Sequence, residues 1–174
     1  MERFYIAGTK GKGRGLFTSS GLKKGEILFH VDLRGLKTYT LKEIDSNKEL
    51  DGDRAHYVGR GKYVIEDNLP AFMNHSCDPN CYCLKSGIGI YDVVAFRDIK
   101  AGEELTHDYA ASSINQLEGL FYFEEECHCG SPDCRNIVHG DFFRLPEDWQ
   151  RRFYPYLPPS IKRKYRDRFV NLLK

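Results

Sequence analysis

The chain has 174 residues, of which 41% are hydrophobic and 29% charged, and its formal net charge is +1. This length and composition indicate one globular domain, or a domain with a small appendage, and no run of about 18 apolar residues is present to span a membrane. The nearly balanced charge excludes a surface that is basic throughout, so any contact with nucleic acid must be local.

Short apolar runs separated by Gly, Asn and Pro predict a protein made mainly of short strands. In chain order, the predicted strands lie in residues 3–6, 15–17, 27–33, 56–65, 71–77, 92–97 and 105–110. The segment TLKEIDSNKEL, residues 40–50, has the pattern of a short surface helix. We therefore expect a β-rich core with irregular loops.

Residues 146–174 have a helical rather than a strand pattern. Trp149, Phe153 and Leu157 recur at a spacing of four, and a pair of prolines then ends at Pro159, which is well placed to begin a second helix. The later apolar residues also keep helical spacing: Ile161, Tyr165, Phe169 and Leu172. This tail is predicted to be a helical hairpin packed on the β core.

Residues 1–15 lack the apolar core of a secretory signal, so we expect an intracellular chain whose six cysteines favour metal binding or burial over disulfides. Three of them lie in CHCGSPDC: Cys127, Cys129 and Cys134. Three thiolates leave a tetrahedral zinc one ligand short. Candidates for the fourth ligand are the flanking His128 and His139 and the thiols of an earlier cluster, Cys77, Cys81 and Cys83. The alternative is three buried free thiols without a metal.

The segment NHSC, residues 74–77, also permits a nucleophilic interpretation. His75 and Cys77 lie two residues apart, so on a strand they would share a face, and an imidazole beside a thiol can activate it. Such a site also needs a third group to orient the imidazole, and no isolated feature supports an oxyanion site.

The loop GKGRG, residues 11–15, matches neither phosphate-binding motif. A P-loop requires Lys followed by Ser or Thr after its last glycine, and the dinucleotide fingerprint requires a helix there, whereas LFTSS follows here. Glycines nevertheless allow the backbone to approach a ligand closely, so the loop is either a plain turn or a ligand loop.

Taken in order, KGRGLF, NHSCDPNC, GEELTHDY and CHCGSPDCR resemble the SET-domain protein lysine methyltransferases with a post-SET zinc segment. The resemblance covers residues 3–139 and implies a mainly β protein, the SET-domain β-clip fold of small sheets. It also implies a pseudoknot that brings NHSC and THDY together. We expect a SET domain in residues 1–122, a post-SET zinc segment in 123–143 and a C-terminal helical extension in 144–174.

The resemblance implies S-adenosylmethionine as cofactor and Zn²⁺ as bound metal. By this resemblance, the cofactor-binding residues are Lys12, Gly13, Arg14, Asn74, His75 and Tyr109. Tyr109 is also implied to be the catalytic tyrosine, with its hydroxyl beside the transferring methyl group. The implied zinc ligands are Cys77, Cys127, Cys129 and Cys134. Cys81 and Cys83 match no ligand position and are expected to be bystanders.

The resemblance also implies a channel for the acceptor lysine, but it identifies the residues of that channel less completely. His107 stands where the family commonly has Phe or Tyr, whose size and hydroxyl influence how many methyl groups fit, so the degree of methylation is not assigned. A second channel tyrosine is expected before NHSC, and we choose Tyr57 over Tyr39 and Tyr63. Further aromatic residues are expected either to line the channel or to belong to the core: Phe121, Tyr122, Phe123, Phe142 and Phe143.

The leading hypothesis is an active protein lysine methyltransferase with a histone tail as favoured substrate. The alternatives are methylation of a non-histone basic protein and a catalytically silent SET-type binding module. We expect no membrane partner, and a nuclear location in a eukaryote or a cytoplasmic one in a prokaryote. The basic residues after position 160 either contact DNA or form a solvated face.

Overall fold

We describe residues 2–112 and 124–174 from a computed structural model of the chain. The strands are β1 (Phe4–Gly8), β2 (Arg14–Thr18), β3 (Ile27–Asp32), β4 (Ala55–Gly59), β5 (Lys62–Ile65), β6 (Asn74–His75), β7 (Cys81–Gly87), β8 (Ile90–Ala95), β9 (Glu104–His107), β10 (Glu124–Glu126) and β11 (Ile137–His139). The helices are α1 (Leu41–Ser46), α2 (Tyr109–Ser112), α3 (Glu147–Phe153), α4 (Pro159–Lys164) and α5 (Arg166–Leu172).

The described strands form four small sheets, which confirms the predicted mainly β fold. Their orders are β1-β2-β9-β6, β3-β8-β7, β4-β5 and β10-β11. Strand β6 pairs in parallel with β9, with Asn74 opposite Thr106 and His75 opposite His107. This pairing places NHSC directly beside THDY, although the two segments are far apart in the sequence.

One hydrophobic core lies between the sheets. Its most buried members come from strands of different sheets and from the segment before β6, and they include Leu16, Val64, Met73, Val93 and Leu105. Burying a side chain of this size contributes about 1.5–3 kcal/mol relative to leaving it exposed. The core therefore fixes β2, β6 and β9 against each other and holds the motif segments in register.

Helix α1 is shorter than the predicted helix over residues 40–50. Thr40 caps it, because its hydroxyl accepts from the Glu43 amide while the Glu43 side chain accepts from the Thr40 amide. The helix ends before Asn47, whose backbone is extended and whose side-chain oxygen accepts from the Glu49 amide at 3.0 Å. This local hydrogen bond offers the backbone an alternative to another helical turn.

The tail is helical as predicted, but its second half is two helices rather than one. Tyr165 leaves helical geometry, with φ −110° and ψ 25°, and separates α4 from α5. Its ring packs edge-on against Phe143, with centroids 5.4 Å apart. The tail shares a second core with the body of the protein, built on Phe96, Phe153 and Phe169.

None of the helices within the described residues combines the length and the hydropathy that a membrane span requires.

Candidate functional site

Tyr109 lies at the junction of the two motif strands, immediately after β9 and Asp108. Its amide donates to Nδ1 of His75 at 3.2 Å, and its hydroxyl donates to the Met73 carbonyl oxygen at 3.4 Å. Its ring also contacts those of His75 and His107, with centroids 5.3 and 5.0 Å away. Burial raises the pKa of Tyr109 to about 12, so the hydroxyl stays protonated at physiological pH.

His75 is a buried, neutral histidine. Because its Nδ1 accepts from the Tyr109 amide, the ring proton lies on Nε2, which is 3.3 Å from Sγ of Cys77. Burial lowers the pKa of His75 to about 3, with a further contribution from the Arg135 charge. The ring is thus committed to internal contacts.

Asn74 faces the opposite way and fixes the glycine loop. Its side-chain amide donates to the Arg14 carbonyl at 3.1 Å and to Oε1 of Glu104 at 2.7 Å. A Cβ at Gly15 would lie 2.6 Å from Oε1 of Glu104 and 2.7 Å from Cγ2 of Thr9, so a larger residue there would force these side chains to shift. The backbone of β2 therefore packs directly on the polar groups of β6 and β9.

Lys12 and Glu104 form an ion pair at this site. Nζ of Lys12 lies 2.7 Å from Oε2 of Glu104, and the two side chains are 17% and 18% exposed. The methionine end of S-adenosylmethionine carries an ammonium and a carboxylate, and this pair offers a counter-charge to each of them. The donor set therefore fits the implied cofactor.

Glu104 is not among the predicted site residues, although it contacts two of them, Lys12 and Asn74. Its neighbour Glu103 pairs instead with Arg97 at 2.9 Å, away from this site. Adjacent side chains along a strand point to opposite faces, so only one glutamate of GEEL faces the loop. Because both residues are glutamate, the sequence does not show which one it is. The pairing of β9 with β2 decides which of them faces the loop.

Four thiols meet at a second site. Each of the four sulfur atoms lies within 4.8 Å of the others, and the residues are the predicted ligands Cys77, Cys127, Cys129 and Cys134. All cysteines of the chain are free, and Sγ of Cys77 is 3.7 Å from Sγ of Cys127. A tetrahedral zinc with bonds of about 2.3 Å separates its sulfur ligands by about 3.8 Å, so these donors fit a closed zinc site.

The group of four does not include the other donors that the sequence left open. His128, His139, Cys81 and Cys83 are not part of it. The nucleophilic interpretation of Cys77 also loses its basis, although His75 is close. The Cys77 thiol is fully buried among other thiols, so a substrate cannot reach it as a nucleophile.

Cys83 is a free thiol outside the group of four, and its sulfur lies 3.7 Å from Nδ1 of His107. Burial lowers the pKa of His107 to about 4, and the charge of Lys85 adds to this effect. The side chain beside Tyr109 is therefore a neutral imidazole that can exchange hydrogen bonds, where an apolar ring could not.

The predicted aromatic residues have different outcomes. Tyr57 packs edge-on against Tyr63 in the β4-β5 hairpin, with centroids 5.4 Å apart, and Tyr39 pairs with Tyr63 through the backbone. The assignment of Tyr57 to the acceptor channel stays a prediction. Phe142 and Phe143 belong to the second core. The other three of the group lie outside the described residues: Phe121, Tyr122 and Phe123.

Comparisons with known proteins agree with this geometry. A model of the SET domain family matches residues 13–110. The chain is 43% identical over 154 residues to "Histone-lysine N-methyltransferase ash1" of Drosophila melanogaster, covering 83% of this chain and 6% of that protein. It is 29% identical over 141 residues to "Histone-lysine N-methyltransferase, H3 lysine-36 specific" of Coccidioides immitis, covering 76% of this chain and 13% of that protein.

Among solved structures, the methyltransferase domain of human "Histone-lysine N-methyltransferase SETMAR" is similar, with a TM-score of 0.58 and 21% identity. The match covers 79% of this chain and 58% of that one, and it confirms the predicted fold class. The chain spans only a small part of the length of the two relatives named above.

Proposed function

The chain belongs to the SET-domain family, and from this premise we propose that it transfers a methyl group from S-adenosylmethionine to a lysine side chain of a protein. A histone tail is the favoured substrate, because both relatives named above are histone-lysine methyltransferases. The observation that carries the proposal is the juxtaposition of Tyr109 with the Lys12–Glu104 pair through β6. A family match without this juxtaposition would support the fold but not the chemistry.

The acceptor must be a neutral amine, because a protonated amine has no lone pair to attack a methyl group. Free lysine has a pKa of about 10.4 and is almost entirely protonated at neutral pH. Bound cofactor supplies an electrophilic methyl group on a positively charged sulfur. The buried surroundings of Tyr109 disfavour a second positive charge and so lower the pKa of an acceptor lysine.

The residues around the acceptor provide position rather than proton transfer. The Tyr109 hydroxyl, which donates to the Met73 carbonyl, keeps oxygen lone pairs that can accept from an amine. His75 holds the Tyr109 amide and is neutral, so it acts as a support and not as a base. Catalysis on this account comes from orientation and from fixed dipoles in a dry site.

We also propose that the four-cysteine group holds Zn²⁺ as a structural metal. Its four donors are all thiols, which leaves no open position for a reacting water. Bound zinc would join Cys77, two residues after β6, to the segment that contains CHCGSPDC. The division into residues 1–122, 123–143 and 144–174 remains our proposal, supported by the three clustered cysteines within the middle segment and by the helical structure of the tail.

We propose that the basic tail mainly packs against the protein, and that contact with DNA is a secondary role. Lys162 lies 4.9 Å from the Tyr154 ring centroid, and Arg168 lies 3.7 Å from that of Phe143, so part of the positive charge covers aromatic rings. A chromatin substrate would place the protein in the nucleus.

If the remaining basic residues of the tail contact DNA, activity on nucleosomes will fall with added salt, and activity on free histone H3 will not.

Calorimetry and mass spectrometry together test the proposed function. The whole chain should bind S-adenosylmethionine and transfer labelled methyl groups to lysines of histone octamers, nucleosomes or basic non-histone proteins. The peptide that carries the label names the substrate class. Cofactor binding without label on any protein would favour the silent binding module, and the absence of cofactor binding would overturn the enzyme hypothesis.

A further inference from the structure

Asp108, which precedes Tyr109, is a buried carboxylate held from several sides. One oxygen accepts from the Ala110 amide at 2.9 Å, inside the short helix that Tyr109 begins. The same oxygen lies 3.9 Å from Nδ1 of His75. The other oxygen accepts from Nη2 of Arg135 at 2.6 Å. The carboxylate therefore fixes the turn that carries Tyr109, and Arg135 fixes the carboxylate.

Arg135 is equally attached to the cysteine cluster. It directly follows Cys134, and its amide donates to Sγ of Cys77 at 3.3 Å. Its Nη1 donates to the Cys77 carbonyl at 3.5 Å. A single residue thus touches one thiol through its backbone and the turn of Tyr109 through its side chain.

The C-terminal tail shields this connection from water. The Arg135 guanidinium lies 5.8 Å from the Trp149 ring centroid, and Arg152 lies 4.6 Å from the same centroid. Asp108 is 1% exposed. Charges in such surroundings are poorly screened, so loss of the cation leaves a buried carboxylate without compensation and the turn without its support.

We propose that Arg135 is a positioning residue that couples the filling of the cysteine cluster to the placement of Tyr109. This inference rests on the proposed function for the meaning of Tyr109 and on the proposed zinc site for the state of the cluster. When the cluster holds its metal, Arg135 is held at Asp108 and the turn is ordered. When the metal leaves, Cys134 and Arg135 move as one segment, and Asp108 no longer holds the turn.

Hydrogen exchange of the whole chain, followed by mass spectrometry, tests the coupling without any need for methyl transfer. In the wild-type protein, a zinc chelator should speed exchange of the amides of residues 108–112 by at least about tenfold. In Arg135→Gln, these amides should already exchange fast with zinc bound, and the chelator should add little. The exchange rate in Arg135→Lys should lie between those of the other two proteins. Lysine keeps the charge but cannot contact both the Asp108 carboxylate and the Cys77 carbonyl as the guanidinium does.

Arg144→Gln is the matched control. It removes the same charge from the neighbouring ion pair with Glu124, whose atoms are 2.7 Å apart and whose side chains are partly exposed. This variant should exchange like the wild type. If Arg135→Gln is too unstable to purify, the double variant Arg135→Gln/Asp108→Asn removes the unpaired charge, and it should also show exchange at 108–112 that is insensitive to chelation.

Steady-state kinetics give the second readout. Arg135→Gln should keep its zinc and bind S-adenosylmethionine within about threefold of the wild type, while kcat falls by about tenfold or more. The coupling would be overturned if Arg135→Gln, or the double variant, kept its full zinc and still lost protection of residues 108–112 on chelation as the wild type does. The proposed function would not be affected by that result. A wild-type protein with intact coupling but no methyl transfer would overturn the proposed function and leave the structural link standing.

Discussion

Asn74 and Cys77 lie three residues apart in one short segment, yet their side chains face opposite kinds of surroundings. Asn74 faces a partly open pair of charges, Lys12 and Glu104, whose contacts with each other a ligand can replace. Cys77 is fully buried among three other thiols, which fit a closed metal site. We propose that one segment serves binding at one end and architecture at the other, with His75 between them.

The largest effect is expected from substitution of Cys77, at the buried end of this segment. Cys77→Ser should lose zinc and lower the midpoint of thermal unfolding by about 10 °C or more, because metal binding to such sites contributes directly to folding. Cys81→Ser is the matched control, since Cys81 is equally buried but outside the cluster. Metal analysis should find one zinc per chain in the control, and a Cys77→Ser protein with full zinc would refute the ligand assignment.

At the open end, Glu104→Gln should weaken S-adenosylmethionine binding by about tenfold, the size expected for one charged hydrogen bond. Zinc content should not change. Glu103→Gln removes the same charge from the adjacent residue, whose partner is Arg97, and should bind the cofactor normally. Calorimetry measures both variants, and equal affinities would mean that Glu104 does not contact the ligand.

A third effect concerns acid stability. The folded-state pKa of His107 is lowered to about 4, so between about pH 4 and 6.5 the unfolded chain binds a proton there that the folded chain does not. Stability should therefore fall as the pH drops through this window. His107→Gln should reduce the slope by up to about 1.4 kcal/mol per pH unit, measured by urea unfolding. An unchanged slope would show that His107 is charged in the folded state.

The four clustered cysteines could be predicted only from the resemblance of several motifs to a known family, and not from the spacing of the cysteines. Spacing alone left His128, His139 and three thiols as candidates for the fourth ligand, because the contact between Cys77 and Cys127 depends on how the chain folds between them. The helical tail and the meeting of NHSC with THDY followed from pattern and resemblance, as did several strands, whereas β7, β10 and β11 were not predicted.

Other features depend on tertiary contacts that no local pattern encodes. Glu104 is distinguished from Glu103 by strand pairing. Cys83 meets His107 across two strands. The break at Tyr165 occurs within a run of good helical spacing, where the ring packs on Phe143. Each of these depends on a partner distant in the sequence, which helical or strand periodicity cannot identify.

The most direct measurement uses S-adenosylmethionine with a deuterated methyl group, nucleosomes and free histones, and compares the wild-type protein with Tyr109→Phe. The wild type should produce deuterated methyl-lysine that mass spectrometry detects. Tyr109→Phe should keep its zinc and its cofactor affinity while kcat falls by about a hundredfold, because the hydroxyl that orients the amine is gone. Equal turnover by the two proteins would contradict the role given to Tyr109.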